Sequence, residues 1–165
     1  MKNKLVVALS WALVLFTMII IFNFSSESSE QSSQTSEGVV VQVLDIFMDK
    51  EDITPPVIKK IHTPLRKLAH FGIYMLLGFC MISAFDKTFK IKAWKNITYS
   101  AVFCFLYAIS DEIHQNFTEG RGPQVTDVLI DSAGAIIGIF LFVSLIAFYN
   151  KFILSLIDKR SRKAV

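Results

Sequence analysis

The hydrophobic residues of this chain fall into long blocks separated by polar segments. Residues 5–24 carry no charged side chain, and residues 128–149 carry a single carboxylate, Asp131. Residues 68–85 have only His70 as an ionisable group, and residues 97–117 stay uncharged until near their end. Each block approaches the about 20 residues that a helix needs to cross a bilayer. The pattern predicts an all-α integral membrane bundle, with four transmembrane helices at 5–24, 68–85, 97–117 and 128–149 in a single domain covering 1–165.

The first block has one alternative interpretation. Lys2 and Lys4 precede it, as basic residues precede the apolar core of a signal peptide. Its apolar core is longer than the about 7–15 residues of a signal, however, and no A-x-A cleavage site follows it. A retained transmembrane helix is therefore the favoured prediction.

A polar outer segment, residues 25–67, is predicted between the first two spans. Its first part is rich in Ser, Glu and Gln and has too few apolar residues to build a core. Residues 39–48 place apolar side chains at helical spacing, which predicts a short extracytoplasmic amphipathic helix. This helix is expected either to lie on the membrane surface or to dock on the bundle. Pro55, Pro56 and Pro64 are expected to prevent one long helix from leading into the second span.

Composition and charge agree with this picture. The chain is 53% hydrophobic, its mean hydropathy is +0.50 and its net charge is +3. The loop after the second predicted span carries Lys87, Lys90, Lys92 and Lys95, whereas the loop after the third carries Arg121 alone. Because short cytoplasmic loops are enriched in Lys and Arg, we predict a multi-pass protein of the cell membrane with both termini in the cytoplasm. The basic residues are attributed to attraction by membrane lipids, and no nucleic-acid partner is predicted.

Polar residues collect at three helix ends that share the outer side in this topology. The start of the second span, the end of the third with its following loop, and the start of the fourth supply Arg66, Lys67, His70, Tyr74, Asp111, Glu112, Gln115, Arg121, Asp127 and Asp131. Spacings of four place Arg66, His70 and Tyr74 on one helix face. Asp127 and Asp131 share a face with the G-x-x-x-G of Gly134 and Gly138, which allows a neighbouring helix to approach closely. We predict a polar cleft here, with a purely structural charge network as the alternative.

The residue types suggest what such a cleft would bind. Arg66, Lys67 and Arg121 are suited to a phosphate or carboxylate group. Asp127 and Asp131 would orient the basic side chains or accept hydrogen bonds, and Tyr74, Asp111 and Gln115 complete the predicted binding residues. An enzyme is the alternative, with Glu112 as general acid or base and His70 as its partner.

Two further classes find less support in the sequence. A metal site formed by His70, His114, Glu112 and Asp127 is conceivable, but no recognised ligand spacing is present, so neither a metal nor a cofactor is predicted. A transporter is disfavoured because four spans are few and no broken helix is indicated.

At these positions the chain resembles the VanZ-like family. The resemblance is carried by R-K-x-A-H-F at Arg66–Phe71, D-E-x-x-Q-x-F at Asp111–Phe117 and D-V-L-I-D-S-x-G-x-x-x-G at Asp127–Gly138. F-N-F-S-S at Phe22–Ser26 is similar to what many members carry after their first span. The resemblance covers nearly the whole chain.

The resemblance implies a multi-pass bacterial membrane protein of the cell envelope. The namesake of the family is linked to resistance to teicoplanin-type glycopeptides, which act on cell-wall precursors outside the membrane. The expected function is therefore binding or modification of an envelope or lipid-linked cell-wall molecule in the outer cleft, with a possible effect on teicoplanin susceptibility. A membrane enzyme and a structural or regulatory subunit are the alternatives.

Overall fold

In the computed structural model of the protein, four long helices and one short helical segment lie within the described residues. The structure describes residues 2–26, 38–42, 44–46, 54–118, 122 and 124–163, and the regular elements within those ranges are all helical. The four long helices are α1 (Lys2–Ser26), α2 (Pro55–Thr88), α3 (Ala93–Gln115) and α4 (Val125–Lys163). The predicted all-α class is thereby confirmed.

Three of these helices are long and apolar enough to cross a membrane. The candidate spans are Lys4–Ser26, Pro56–Thr88 and Val125–Ile153. α3 is not among the candidates, because Asp111 and Glu112 near its end and Lys95 near its start confine its uncharged part to residues 96–110. That part is shorter than the about 20 residues that the hydrocarbon core requires. By length and composition, three of the four predicted spans therefore qualify.

α1 packs on the bundle through one narrow stripe. The buried side chains are Ser10, Val14, Thr17, Ile21 and Ser25. They recur every three or four residues and so share one helix face. The remaining surface of α1 exposes large apolar side chains such as Leu13 and Phe16. Such an apolar outer surface is the surface that a lipid environment requires.

Small residues bring α2 and α4 into the most extensive helix contact of the bundle. A Cβ atom added at Gly134 would overlap the backbone carbonyl of Phe71, and one at Gly138 would overlap that of Met75. From the opposite helix, Gly78 meets the carbonyl of Ala135 in the same way. We refer to this contact as the glycine seam. The close approach that the G-x-x-x-G spacing predicts is what the structure shows.

The prediction that prolines interrupt the approach to the second span is wrong. α2 runs continuously from Pro55 to Thr88, with Pro64 inside the helix. Pro55 and Pro56 occupy the first turn, where their missing N–H groups would have had no intrahelical partner. Pro64 removes one internal hydrogen bond, but the turns on either side of it remain helical. As a result, α2 begins well before the predicted boundary at residue 68.

α4 is also longer than predicted. It extends from Val125 to Lys163, a length of 39 residues, beyond the predicted end at residue 149. At a rise of about 1.5 Å per residue this helix is about 58 Å long, which exceeds the about 30 Å of a hydrocarbon core.

The short helix predicted at residues 39–48 is partly within the described residues. Residues 38–42 and 44–46 are helical, and Val40 and Leu44 are buried on one face. Burial of that face within the protein agrees with the docked alternative. Its position relative to a membrane stays a prediction.

Candidate functional site

One end of the bundle collects polar side chains from all four helices. α1 ends there with Ser25 and Ser26, and α3 ends there with the predicted residues Asp111, Glu112 and Gln115. Lys67 of α2 and Asp127 in the first turn of α4 contact each other in the same region. We call this region the polar end. It arises because each helix changes from apolar to polar at the same level of the bundle.

Lys67 joins α2 to the start of α4. Its ammonium lies 2.5 Å from Oδ1 of Asp127 and also donates to Oε1 of Gln124 at 3.4 Å. The pair is partly shielded, since the side chain of Lys67 is 30% exposed and that of Asp127 is 14% exposed. This contact satisfies the charge of Asp127, so its carboxylate is not available as a free group.

A small cavity opens between α2 and α4 beside this pair. Its volume is about 10 Å³, and it is lined by Arg66, Lys67, His70, Asp127, Ile130 and Asp131. Five of these six residues are polar or charged, and all five belong to the predicted binding or catalytic sets. The cavity has room for about one water molecule or one small polar group.

Asp131 lies at the inner wall of the cavity and is completely buried. Neither of its carboxylate oxygens has a hydrogen-bond partner among the described residues. Nδ1 of His70 lies 3.8 Å from its Oδ2, which is too long for a hydrogen bond. A buried carboxylate without hydrogen bonds is costly, so this position requires an explanation beyond packing.

Asp111 of α3 approaches the same two residues. One oxygen or nitrogen atom from each of His70, Asp111 and Asp131 lies within 4.8 Å of the others. Asp111 is buried, and its Oδ2 accepts a hydrogen bond of 3.3 Å from Nε2 of Gln115, whose other contact is Oγ of Ser25 at 3.2 Å. We call His70, Asp111 and Asp131 the buried triad.

Tyr74 lies one turn beyond His70 on α2 and closes the inner side of the triad. It is completely buried, and its hydroxyl has no hydrogen-bond partner among the described residues. The ring packs at a tilt against Tyr107, with centroids 6.2 Å apart. Tyr74 therefore forms a wall of the interior rather than of an open cleft.

Glu112 and His70 do not form the predicted acid–base pair. Glu112 Oε2 accepts a hydrogen bond of 2.8 Å from the backbone N–H of Gln124, and His70 faces Asp131 instead. The helical rotation of α3 explains this, because adjacent residues point in directions about 100° apart. Asp111 thus turns into the bundle, whereas Glu112 anchors the segment that precedes α4.

His114 also differs from its place in the conceivable metal set. Its ring stacks on Phe22 with centroids 4.4 Å apart, and its Nε2 lies 3.0 Å from Oγ of Ser26. His114 therefore binds α3 to the end of α1, away from the triad. Arg121, which was predicted to bind an anion, lies outside the described residues.

Phe22, Ser25 and Ser26 also belong to the polar end, although they are not among the predicted site residues. All three contact residues of α3, through the ring of His114 or the amide of Gln115. The signal was present in the F-N-F-S-S stretch that the chain shares with the VanZ-like family. A serine at the end of an apolar helix does not indicate which neighbouring helix its side chain contacts, and so its partner could not be assigned.

The comparisons with known proteins agree with these features. The sequence model of the VanZ/LLP1 family matches residues 10–148, which include all of α2 and α3, most of α1 and α4, and every residue of the buried triad. The search of curated proteins and the search of solved structures found no match. Because the match covers most of the chain, the protein belongs to the VanZ/LLP1 family. Together with its apolar helices, this defines it as a membrane protein.

Proposed function

We propose that the chain crosses the membrane four times, with both termini in the cytoplasm and the polar end outside. α3 would be the fourth span, since its 23 residues pack between α2 and α4 and its polar ends would lie at the two interfaces. The opposite end of the bundle carries Lys87 at the end of α2 and three further lysines before or at the start of α3. Such a basic connection is typical of a cytoplasmic loop.

Cysteine labelling in intact cells tests this topology. The two native cysteines, Cys80 and Cys104, lie within the bundle, so they contribute little background. Gly122→Cys should react with a membrane-impermeant maleimide in intact cells, and Lys90→Cys should react only after lysis. The reverse labelling pattern would place the polar end in the cytoplasm and would refute the proposal.

We further propose that the polar end binds an anionic group of an envelope or lipid-linked cell-wall molecule. The observation that carries this proposal is the cavity between α2 and α4, which is lined by the two cationic residues Arg66 and Lys67. Lys67 is neutralised by Asp127, whereas Arg66 makes no ion pair with another of the described residues. A guanidinium beside a cavity is suited to bidentate binding of phosphate or carboxylate.

The size of the cavity limits how a ligand would bind. A space of about 10 Å³ accepts one small polar group and excludes a sugar or a lipid chain. A phosphate or carboxylate oxygen would enter the cavity, while the remainder of the molecule would lie over its opening and along the apolar helix surfaces. Arg66 and Arg121 would hold the anion, and Asp127 would fix the position of Lys67.

A deletion strain complemented with variants tests the function. The wild-type gene is expected to change teicoplanin susceptibility and the amounts of cell-wall precursors measured by mass spectrometry. Arg66→Ala should remove at least nine-tenths of the change at equal protein abundance, while Lys90→Ala, which removes an exposed cation at the opposite end, should retain it. Arg121→Ala should resemble Arg66→Ala.

Each alternative function has its own outcome in this experiment. A precursor of altered chemical structure would show an enzyme rather than a binding protein. Loss of function in Arg66→Ala only in proportion to lost protein would support a structural subunit and overturn the proposed anion site.

A further inference from the structure

We propose that the buried triad of His70, Asp111 and Asp131 is a binding site for one divalent transition-metal ion. The site goes beyond the proposed anion binding, and the sequence analysis does not predict it. The three side chains come from three different helices, α2, α3 and α4, and converge in the interior of the bundle. Cores of helical bundles commonly hold metal ions through carboxylates and imidazoles on facing helices.

The distances within the triad fit a metal ion better than direct hydrogen bonding. Nδ1 of His70 lies 3.8 Å from Oδ2 of Asp131, and one ligand atom of Asp111 lies within 4.8 Å of both. Metal–ligand bonds of about 2.0–2.2 Å place two ligands of one ion about 3–4 Å apart. The widest separation in the triad would therefore have to shrink by about 1–2 Å around an ion, which side-chain rotation can supply.

The second observation is the unsatisfied carboxylate of Asp131. It is completely buried, it lies close to His70 and Asp111, and neither oxygen has a hydrogen-bond partner among the described residues. A native protein rarely leaves both oxygens of a carboxylate without partners unless an ion or ligand supplies them. Asp131 thus has its full capacity available for coordination.

Charge supports the same conclusion. Two buried carboxylates and one imidazole lie within 4.8 Å of one another, and Lys67, which lines the adjoining cavity, is already paired with Asp127. A divalent ion would neutralise the two carboxylates without the need for another cationic side chain. Burial of this pair without a counter-ion would cost several kcal/mol on the usual scale for unpaired ions.

The surroundings supply outer contacts of the kind that metal ligands have. Gln115 donates to Oδ2 of Asp111, which fixes the orientation of this carboxylate. The buried hydroxyl of Tyr74, one turn from His70, is available to a ligand oxygen or a bound water. Outer hydrogen bonds of this kind orient ligands and strengthen metal binding.

The ligand set defines the class of ion. Imidazole favours Zn²⁺, Fe²⁺ and similar ions, whereas carboxylates also accept Mn²⁺. With three protein ligands, at least one coordination position stays open, and two of the three ligands line the cavity beside Arg66. The open position would therefore face the place where the proposed anion enters, and this last step alone rests on the proposed function.

Metal binding by the full-length protein in detergent tests the site without any substrate. After treatment with chelator, the protein is titrated with Zn²⁺ and with Mn²⁺, and bound metal is measured by elemental analysis after desalting. We expect one ion per chain. Asp131→Asn and Asp111→Asn should each weaken binding at least tenfold, because each removes one charged ligand.

Two carboxylate variants act as controls. Asp86→Asn removes an exposed carboxylate at the opposite end of the bundle, and Asp127→Asn removes the carboxylate that Lys67 already holds. Both should retain one ion per chain. Bound ion should also raise the unfolding temperature of wild type and of both controls, but not of Asp131→Asn.

The outcomes separate this site from the proposed anion binding. Absence of stoichiometric binding to wild type, or unchanged binding in Asp111→Asn and Asp131→Asn, overturns the metal site and leaves the anion proposal standing. Arg66→Ala should retain the ion while losing function in cells. An ion retained together with full function in Arg66→Ala would overturn the anion proposal alone.

Discussion

The two ends of the α1–α2–α4 bundle hold their polar side chains in different ways. At the end near Lys87, hydrogen bonds connect α1 with α2. Lys87 donates to Oγ of Ser83 at 2.8 Å and to Oγ of Ser10 at 3.1 Å, and Nε1 of Trp11 donates to Oγ1 of Thr88 at 2.9 Å. Each of these donors meets an acceptor, so hydrogen bonding accounts for the contact between α1 and α2 at this end.

At the polar end, the most deeply buried charged side chain has no such partner. Asp131 makes no hydrogen bond with the described residues, although Lys67, Gln115 and Gln124 nearby are all engaged with other acceptors. The polar end therefore contains a buried carboxylate that accepts no hydrogen bond from the described residues, and the His70 ring lies 3.8 Å from it. The proposed metal ion would supply the missing partners.

Unsatisfied polar atoms occur elsewhere, but they differ in charge. Oδ1 of Asn96 and Oγ of Ser100 are buried on α3 without partners among the described residues. A neutral group left without a hydrogen bond costs about 1–3 kcal/mol, and an ionised carboxylate costs more. The comparison between the two ends thus depends on the carboxylate and not on the number of unpaired atoms.

The largest effect is expected at the glycine seam, on which the polar end depends. Gly138→Val would force two methyl groups against the carbonyl of Met75 and separate α2 from α4. We expect a loss of about 3 kcal/mol in the free energy of unfolding, measured by denaturation in detergent, together with loss of metal binding.

Gly72→Ala is the matched control for the seam. A Cβ atom added at Gly72 meets no atom within 4 Å, so this change should leave stability unchanged or increase it by about 0.5–1 kcal/mol. Equal destabilisation by both substitutions would show that helix contact at the seam is not the cause.

The next effect is expected at Asp131 in metal-free protein. Asp131→Asn replaces an unsatisfied carboxylate with a neutral side chain of the same shape, so the chelator-treated variant should be more stable than wild type by about 1–2 kcal/mol. Thermal unfolding in the presence of chelator measures the difference. A less stable variant would mean that the carboxylate has a stabilising partner within the chain.

Lys87→Met should produce a smaller change of the opposite sign. It removes the donor to Ser83 and Ser10 while keeping the aliphatic side chain, and because Lys87 is exposed we expect a loss of about 0.5–1 kcal/mol. Metal binding should be unaffected. Lys90→Met, at an exposed position nearby, serves as the control, and a loss of metal binding in Lys87→Met would contradict the separation of the two ends.

The smallest effect is expected for Trp11→Phe. The substitution keeps an aromatic ring near Phe85 but loses the hydrogen bond to Thr88. A loss of about 0.5 kcal/mol in unfolding free energy would fit a solvent-accessible hydrogen bond. A loss several times larger would indicate that the indole contributes mainly by packing.

The helices and their polar ends could be predicted from the sequence, because hydrophobic length and charge position determine both. The G-x-x-x-G of Gly134 and Gly138 likewise indicates a close helix contact from spacing alone. The partners of individual side chains could not be predicted. Whether Asp111 or Glu112 turns towards His70 depends on the rotation of α3, and that rotation is set by contacts with three other helices.

The prolines show a second limit of local reasoning. Pro64 disfavours a helix at its own position by about 3 kcal/mol, yet α2 passes through it. The packing of the apolar residues on both sides of Pro64 stabilises one continuous helix by more than the single lost hydrogen bond costs. This stabilisation comes from the whole length of the helix, so a short stretch of sequence does not reveal it.

The extra length of α4 determines where its terminal charges can be. The helix continues without a break from Ile153 to Lys163, so its backbone advances by a fixed rise per residue. A flexible linker would not fix this distance. Lys159 and Arg160 are thereby held about 9–10 Å along the axis beyond the end of the candidate span. That distance is about one Debye length at physiological salt, so backbone positions 159 and 160 would stay within electrostatic reach of an anionic lipid surface if the membrane ended at Ile153.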